Sequence, residues 1–205
     1  MTTARDTTPA IKGAASRRFS WLILLSGLLG LAASAQLTLD KIRLIENPAF
    51  QPNCNINPII SCGSVMRTEQ AEVFGFPNPI LGLAAFGALA AIGAGLLAGA
   101  SYRRWFWLAL QGGSLVGLAF VAWLIRQALY EIGALCPYCM VVWAVVITLF
   151  WSTTIHNIRT GILPTPPTVR RLATLNHQWL VPAAGFLLIG LLILTRFWYY
   201  WSTLL

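Results

Sequence analysis

Two pairs of cysteines carry the chemistry of this chain: Cys54 and Cys62 in a polar loop, and Cys136 and Cys139 in Cys136-Pro137-Tyr138-Cys139, where a polar turn meets a long apolar run. A thiolate attacks a disulfide and is oxidised in turn, so two pairs beside apolar segments read as a path for electrons between a soluble thiol and an acceptor dissolved in lipid. Cys136 is expected to cap a helix with Pro137 in its first turn, where a missing N–H costs nothing. Cys139 then falls on the same side, and the helix dipole and unpaired N–H groups at that terminus favour thiolate. Tyr138, Met140, Val141, Val142 and Trp143 surround the second sulfur. In such surroundings a quinone is the natural oxidant.

A metal site is the first alternative. Zinc would need two further soft ligands, and Cys54 and Cys62 have seven residues between them where paired zinc ligands take roughly two to four. The two histidines, His156 and His177, fall on the opposite side of the membrane in the topology below. No metal is expected. The loop over Pro52–Ser64 is turn-rich at one end and apolar in the middle, as for a segment that lies on the membrane surface and swings, anchored by Ile59-Ile60 and by Phe74-Gly75-Phe76.

The elements that position these sulfurs follow from composition. Of 205 residues, 57% are apolar and 10% charged, nine are Trp, and the mean hydropathy is +0.69. Too little polar surface remains for a soluble domain, so an all-α, polytopic protein of the lipid bilayer is expected. Five stretches approach the roughly 20 apolar residues that span a hydrocarbon core: Trp21–Leu39, Pro79–Ala100, Trp105–Ile125, Cys136–Ile155 and Trp179–Thr195. The glycines of the second, Gly82, Gly87, Gly93, Gly95 and Gly99, predict close helix contacts, and Gly112-Gly113-Ser114 predicts the same in the third.

Charge orients the spans. Arg5, Lys12, Arg17, Arg18, Arg103, Arg104, Arg159, Arg170 and Arg171 belong in the cytoplasm by the positive-inside rule. Lys41, Arg43, Arg67, Arg126 and Arg196 share the opposite side with Asp40, Glu46, Glu69, Glu72 and Glu131. All four cysteines are thereby extracytoplasmic, at the cell inner (plasma) membrane, where disulfides persist. The net charge of +8 is a topology signal, and without basic blocks interleaved with stacking aromatics no nucleic acid partner is expected. Glu69, Glu72 and Arg126 read as solvated anchors near the membrane surface.

Residues 1–18 read as a disordered cytoplasmic arm, 19–155 as the catalytic bundle with an extracytoplasmic loop over 40–78, 156–178 as a cytoplasmic linker, and 179–205 as a fifth transmembrane helix. Within the linker, Pro164-Thr165-Pro166-Pro167 predicts a stiff extended segment. Arg17-Arg18, the run from Trp21 and Ala32-Ala33-Ser34-Ala35 resemble a cleavable signal peptide, but the apolar character continues through Leu37 and Leu39, so a retained helix is expected.

Cys54 and Cys62-Gly63-Ser64-Val65-Met66, then Phe74-Gly75-Phe76-Pro77-Asn78-Pro79 opening a span, then Cys136-Pro137-Tyr138-Cys139, together resemble the bacterial homologues of vitamin K epoxide reductase over about Trp21–Ile155. The resemblance implies a four-helix transmembrane bundle around a quinone of the menaquinone, ubiquinone or vitamin K type, here with an additional fifth helix. It implies that Cys54 meets the thiol of a DsbA-like, thioredoxin-fold partner, that Cys62 attacks Cys136, and that Cys139 reduces the quinone. Asn78 matches the residue that hydrogen-bonds a quinone oxygen in that family, although an Asn ahead of Pro79 is also an ordinary helix cap. Leu81, Met140 and Trp143 are further candidate quinone contacts, in a pocket expected between Asn78–Leu81 and the third and fourth spans.

Two residues depart from the family pattern: Thr68 stands where a serine is usual, and Trp143 where the animal enzymes have a tyrosine. Quinone reduction, rather than epoxide reduction, is the expected reaction. Many bacterial relatives carry a fused thioredoxin-like domain; none is found within these residues, so a separate reductant is expected. A binding or assembly protein with merely structural disulfides, and a DsbB-like quinone reductase, are the alternatives. The second has its Cys-x-x-Cys first in sequence, and here that pair comes last.

Overall fold

Ser16 opens the first helix by accepting the Phe19 backbone N–H on its Oγ at 3.3 Å, and α1 then runs over Arg17–Glu46. At 1.5 Å per residue it is about 45 Å long, more than the ~30 Å of a hydrocarbon core. Its last two turns therefore project past the apolar stretch that ends at Leu39. The computed structural model describes residues 15–174 and 179–203. After α1 come α2 (Cys62–Met66), a 3-10 turn at Glu69–Glu72, α3 (Asn78–Leu97), α4 (Arg104–Arg126), α5 (Pro137–Arg159), α6 (Pro167–Thr174), α7 (Leu180–Arg196) and α8 (Trp198–Trp201). No strand forms among the described residues, and the protein is all-α.

Among the described residues, four helices are long and apolar enough to cross a membrane: α1, α3, α4 with its π-helical continuation to Ile132, and α5. The fifth, α7, has 17 residues, about 26 Å of helix, and Arg196 at its C-terminal end donates from Nε to the Leu129 carbonyl at 2.9 Å.

Small residues decide how closely the helices approach. A Cβ on Gly27 would collide with the Ala90 backbone, one on Gly93 with the Leu24 backbone, and one on Gly30 with the Phe86 ring, so α1 and α3 lie against each other along their length. Gly112 and Gly113 do not act this way: nothing lies within 4 Å of a Cβ on either, because they face out of the bundle while Ser114 alone turns inward.

The two ends of the bundle differ in charge. At the end that carries the cysteines, Lys41 pairs with Glu72 at 2.7 Å, Arg43 with Asp40 at 3.9 Å and Arg126 with Glu131 at 3.6 Å. At the other end gather Arg17, Arg18, Arg103, Arg104, Arg159, Arg170 and Arg171. There α5 continues to Arg159, past the boundary expected at Ile155, and His156 lies inside it, with ring centroids 4.4 Å from Phe19 and 4.5 Å from Trp107. Asn157 is fully buried beside it, its Nδ2 donating to Gln111 Oε1 at 3.1 Å. Pro164–Pro166 leads into α6 at Pro167, a residue suited to a first helical position. The Arg159 Nε ties that helix back to α5 through the Ala173 carbonyl at 2.8 Å. Of the amino-terminal arm expected at 1–18, residues 1–14 lie outside the described residues, and Arg17 and Arg18 are helical.

If α1 and α3 depend on backbone approach, Gly93→Leu will destabilise the protein by about 1–3 kcal/mol. Gly112→Leu, in open space, will change stability by less than about 0.5 kcal/mol. Thermal unfolding of the purified variants in detergent measures both.

Candidate redox site

The loop after α1 is held down rather than free to swing. Lys41 Nζ donates to the Met66 carbonyl at 2.8 Å, and Arg67 reaches the Pro48 carbonyl at 2.7 Å. Asn57 Oδ1 accepts the backbone N–H groups of Ile59 at 3.0 Å and Ile60 at 2.7 Å. Ile59, expected as a membrane anchor, is instead buried in the protein core, because the Asn57 turn points it inward. Phe74 and Phe76 remain exposed, with Phe74 against Phe120 at 5.8 Å. Two backbone bonds join the loop to the start of α5: Leu135 N–H to the Ile59 carbonyl at 2.7 Å, and Ser61 N–H to the Leu135 carbonyl at 2.9 Å.

Those bonds flank both sulfur pairs. Cys54 and Cys62 form a disulfide, and Cys136 and Cys139 are free thiols. The Cys136 thiol donates to the Cys62 sulfur at 3.2 Å, within the about 3–3.5 Å separation from which reacting atoms attack. Burial grades the row: Cys62 is 0% exposed, Cys136 1% and Cys54 7%, so among these three the outermost sulfur is Cys54. Leu37, Leu44 and Met66 pack around them, which keeps water and foreign thiols away.

The approach to Cys62 is built from short polar side chains. Ser61 caps α2, its Oγ accepting the Ser64 N–H at 3.1 Å, while Asn55 Oδ1 takes the Ser61 hydroxyl at 3.1 Å and the Gly63 N–H at 2.9 Å. Cys136 caps α5 with Pro137 in the first turn, as its spacing predicts. Its thiol, just ahead of the spanning helix, is held below the usual thiol range, first by the hydrogen bond from the Cys139 thiol. Burial opposes this, the backbone N–H groups of Cys139 and Tyr138 reinforce it, and the Asp40 charge pushes weakly the other way.

The candidate quinone contacts are not brought to one place. Asn78 is the first residue of α3, with Pro77 in the cap position, and its amide is spent on the loop: Nδ2 donates to the Gln70 carbonyl at 2.7 Å and Oδ1 accepts Val73 N–H at 3.2 Å. Leu81 is exposed on the same helix. Met140 and Trp143 line an apolar cavity of about 220 Å³, but its other wall is α7, not α3 or α4. The Trp143 indole N–H itself is buried in the protein without an acceptor and does not open on the cavity. An apolar cavity close to Cys139 fits an oily compound such as a quinone.

Sequence reasoning passed over Asn55, Ser61 and Asp40. The first two belong to an Asx and Ser-cap pattern that the turn-rich text around Cys54 signals. Asp40, buried on α1 with Gln36 Nε2 donating to it at 3.1 Å, carried no signal beyond its charge. The hydroxyl of Thr68 is engaged with the Val65 carbonyl at 2.8 Å.

Comparison with protein families matches residues 21–154 to the Vitamin K epoxide reductase family. The chain belongs to this family. The match covers more than half of the chain and holds both cysteine pairs and all of the loop between α1 and α3. Membership makes the protein a multi-pass membrane oxidoreductase that works by thiol–disulfide exchange. Family members use quinones and generally work with thioredoxin-like partners. A search of curated proteins finds no match.

The cause of the Cys136 shift is testable. A donated hydrogen bond favours thiolate, so removing it raises the pH at which Cys136 becomes reactive. With the loop disulfide formed and Cys136 the one free thiol, formation of a Cys62–Cys136 bond, followed by alkylation of the released Cys54, will reach half its maximal rate at higher pH in Cys139→Ala than in Cys139→Ser, which keeps a donor.

Proposed function

We propose that the protein reoxidises a DsbA-like, thioredoxin-fold thiol oxidase and passes the electrons through its two cysteine pairs to a quinone, supporting disulfide formation in exported proteins. The observation that carries the reading is the buried 3.2 Å contact between Cys62 and Cys136. Orientation follows from charge: the arginine-rich end faces the cytoplasm, which leaves the cysteine end outside.

In the first exchange the partner's thiolate attacks Cys54, the least buried of the three graded sulfurs, and Cys62 leaves as thiolate. The partner's second thiol then attacks its own mixed-disulfide sulfur, so the partner departs oxidised and the loop holds two thiols. A polar groove of about 410 Å³ lined by Phe50, Asn55, Asn57, Ser61, Ser64 and Arg67 flanks this disulfide and gives the partner's peptide a place to lie. Next Cys62 attacks Cys136 of an oxidised Cys136–Cys139 pair and Cys139 leaves; Cys54 then attacks Cys62, and Cys136 is released. Two electrons have moved inward, and the loop is a disulfide again. The pairing in the structure, loop oxidised and membrane pair reduced, is the state at the end of that step.

A quinone, when bound, supplies the acceptor for the two electrons and two protons of the Cys136–Cys139 dithiol. Cys139 is the donor nearest the apolar cavity, and Cys136 closes the new disulfide onto it. Trp143 and Met140 offer apolar surface to the ring. Asn78 retains one amide hydrogen beyond its bond to Gln70, and Leu81 one turn along α3 offers an apolar contact.

Purified protein mixed with a quinone and a reduced DsbA-like thiol should bleach the quinone absorbance. Serine at Cys54, Cys62, Cys136 or Cys139 should each slow this by at least about a hundredfold. No bleaching by the wild type, or full activity in Cys139→Ser, would exclude the reading.

A further inference from the structure

Cys62 must exchange with two neighbours in turn, Cys54 and Cys136, and the structure holds it between them by bonds that contain no sulfur. On the Cys136 side the Ser61 N–H donates to the Leu135 carbonyl at 2.9 Å, which ties the residue before Cys62 to the residue before Cys136. On the Cys54 side one amide does the corresponding work. Asn55, the residue after Cys54, accepts on its Oδ1 the Ser61 hydroxyl at 3.1 Å and the Gly63 N–H at 2.9 Å, so it grips the chain on both sides of Cys62. Its own backbone is fixed by a turn across Cys54, in which the Asn55 N–H donates to the Pro52 carbonyl at 3.0 Å.

The grip has little slack. Ser61 Oγ lies 2.8 Å from Ser64 Oγ and accepts the Ser64 N–H at 3.1 Å, so the hydroxyl that Asn55 holds is itself held. Gly63 permits the close approach: a Cβ at that position would lie 2.9 Å from the Asn55 Nδ2. Opening the Cys54–Cys62 disulfide removes none of these bonds. Seven residues lie between the two cysteines, and a free loop of that length would let the sulfurs drift apart once the covalent link is cut. How fast a disulfide closes again depends on the effective concentration of one sulfur at the other, which falls as the linking chain gains freedom. In the electron path that closure is the attack of Cys54 on Cys62 that releases Cys136.

We infer that Asn55 is the positioning residue for this closing step: it keeps Cys54 beside Cys62 while the disulfide is open, so that Cys62 changes partner by turning its sulfur and not by a swing of the loop. The inference rests on the electron path proposed above and extends it to a side chain that touches no reacting atom but brackets one.

The test uses an exchange internal to one chain. In a Cys139→Ser background the Cys136 thiolate attacks Cys62, the Cys54–Cys62 bond breaks, and Cys54 leaves as thiolate and takes up the proton that Cys136 gave up. No electrons enter or leave, so neither partner nor quinone is needed. Full-length protein in detergent is brought to equilibrium, quenched in acid and mapped without reduction, and the ratio of Cys62–Cys136 to Cys54–Cys62 bonds is read beside the thermal unfolding temperature. Asn55→Ala should raise that ratio about tenfold. Asn55→Asp, which keeps the acceptor oxygen, should stay near the parent value. Gly63→Ala, which pushes the Asn55 amide away, should raise the ratio in the same direction. Thr68→Val removes a different loop bond, the 2.8 Å one to the Val65 carbonyl, and should leave the ratio unchanged. An unchanged ratio in both Asn55→Ala and Gly63→Ala, or an equal rise in Thr68→Val, would overturn the role of Asn55 while leaving the electron path intact. Absence of the Cys62–Cys136 bond from every variant would instead defeat the exchange on which the path itself depends.

Discussion

The two backbone hydrogen bonds between Leu135 and the loop residues Ile59 and Ser61 set the register on which the site depends. Leu135 immediately precedes Cys136 and Ser61 immediately precedes Cys62, so pairing these segments carries the sulfurs to 3.2 Å from each other. Side chains could not do this as well, since a rotamer change moves a sulfur by ångströms while a paired backbone fixes both Cα positions. Everything else at that end of the bundle supports the pairing. Lys41 and Asn57 hold the loop, the Asn55–Ser61 bond shapes the turn into α2, and Ile59 fills the core beneath.

The same packing bears on the direction of the proposed electron path. Exchange between thiols needs contact, and a buried sulfur exchanges only with the neighbour it touches. Cys62 has no exposed surface and Cys136 almost none, whereas Cys54 sits at the margin of a polar groove and Cys139 close to an apolar one. Leu37, Leu44 and Met66 pack over Cys62 and Cys136. The helix start at Pro137 and the thiol of Cys139 favour thiolate at Cys136, which suits a sulfur proposed to leave from a mixed disulfide with Cys62.

Much of this was legible in the residues. The apolar runs located four spanning helices, because a helix that crosses lipid must satisfy its backbone internally and be apolar along its length. Cys136-Pro137 announced its own cap. The loop was harder, since its fixation comes from contacts between residues far apart in sequence, Lys41 with Met66 and Ile59 with Leu135, and local turn chemistry carries no trace of them. Gly112 and Gly113 read like Gly93 because composition does not say which way a helix face points. Asn78 looked like a cap or a ligand, and that its amide also braces the turn before α3 was not legible, since Gln70 and Val73 give no sign of it. The cavity between α5 and α7 at Met140 and Trp143 was not legible for a related reason: the return of α7 to the cysteine end is set by Arg196, whose acceptor Leu129 lies 67 residues away in sequence.

The account turns on Cys62 and Cys136 being the sulfurs that exchange. In a Cys54→Ser, Cys139→Ser double variant those two thiols are left alone together, and oxidation followed by non-reducing peptide mapping should recover them as one disulfide in nearly every molecule. Recovery of both as free thiols, or of Cys62 linked to a second copy of the chain, would contradict it.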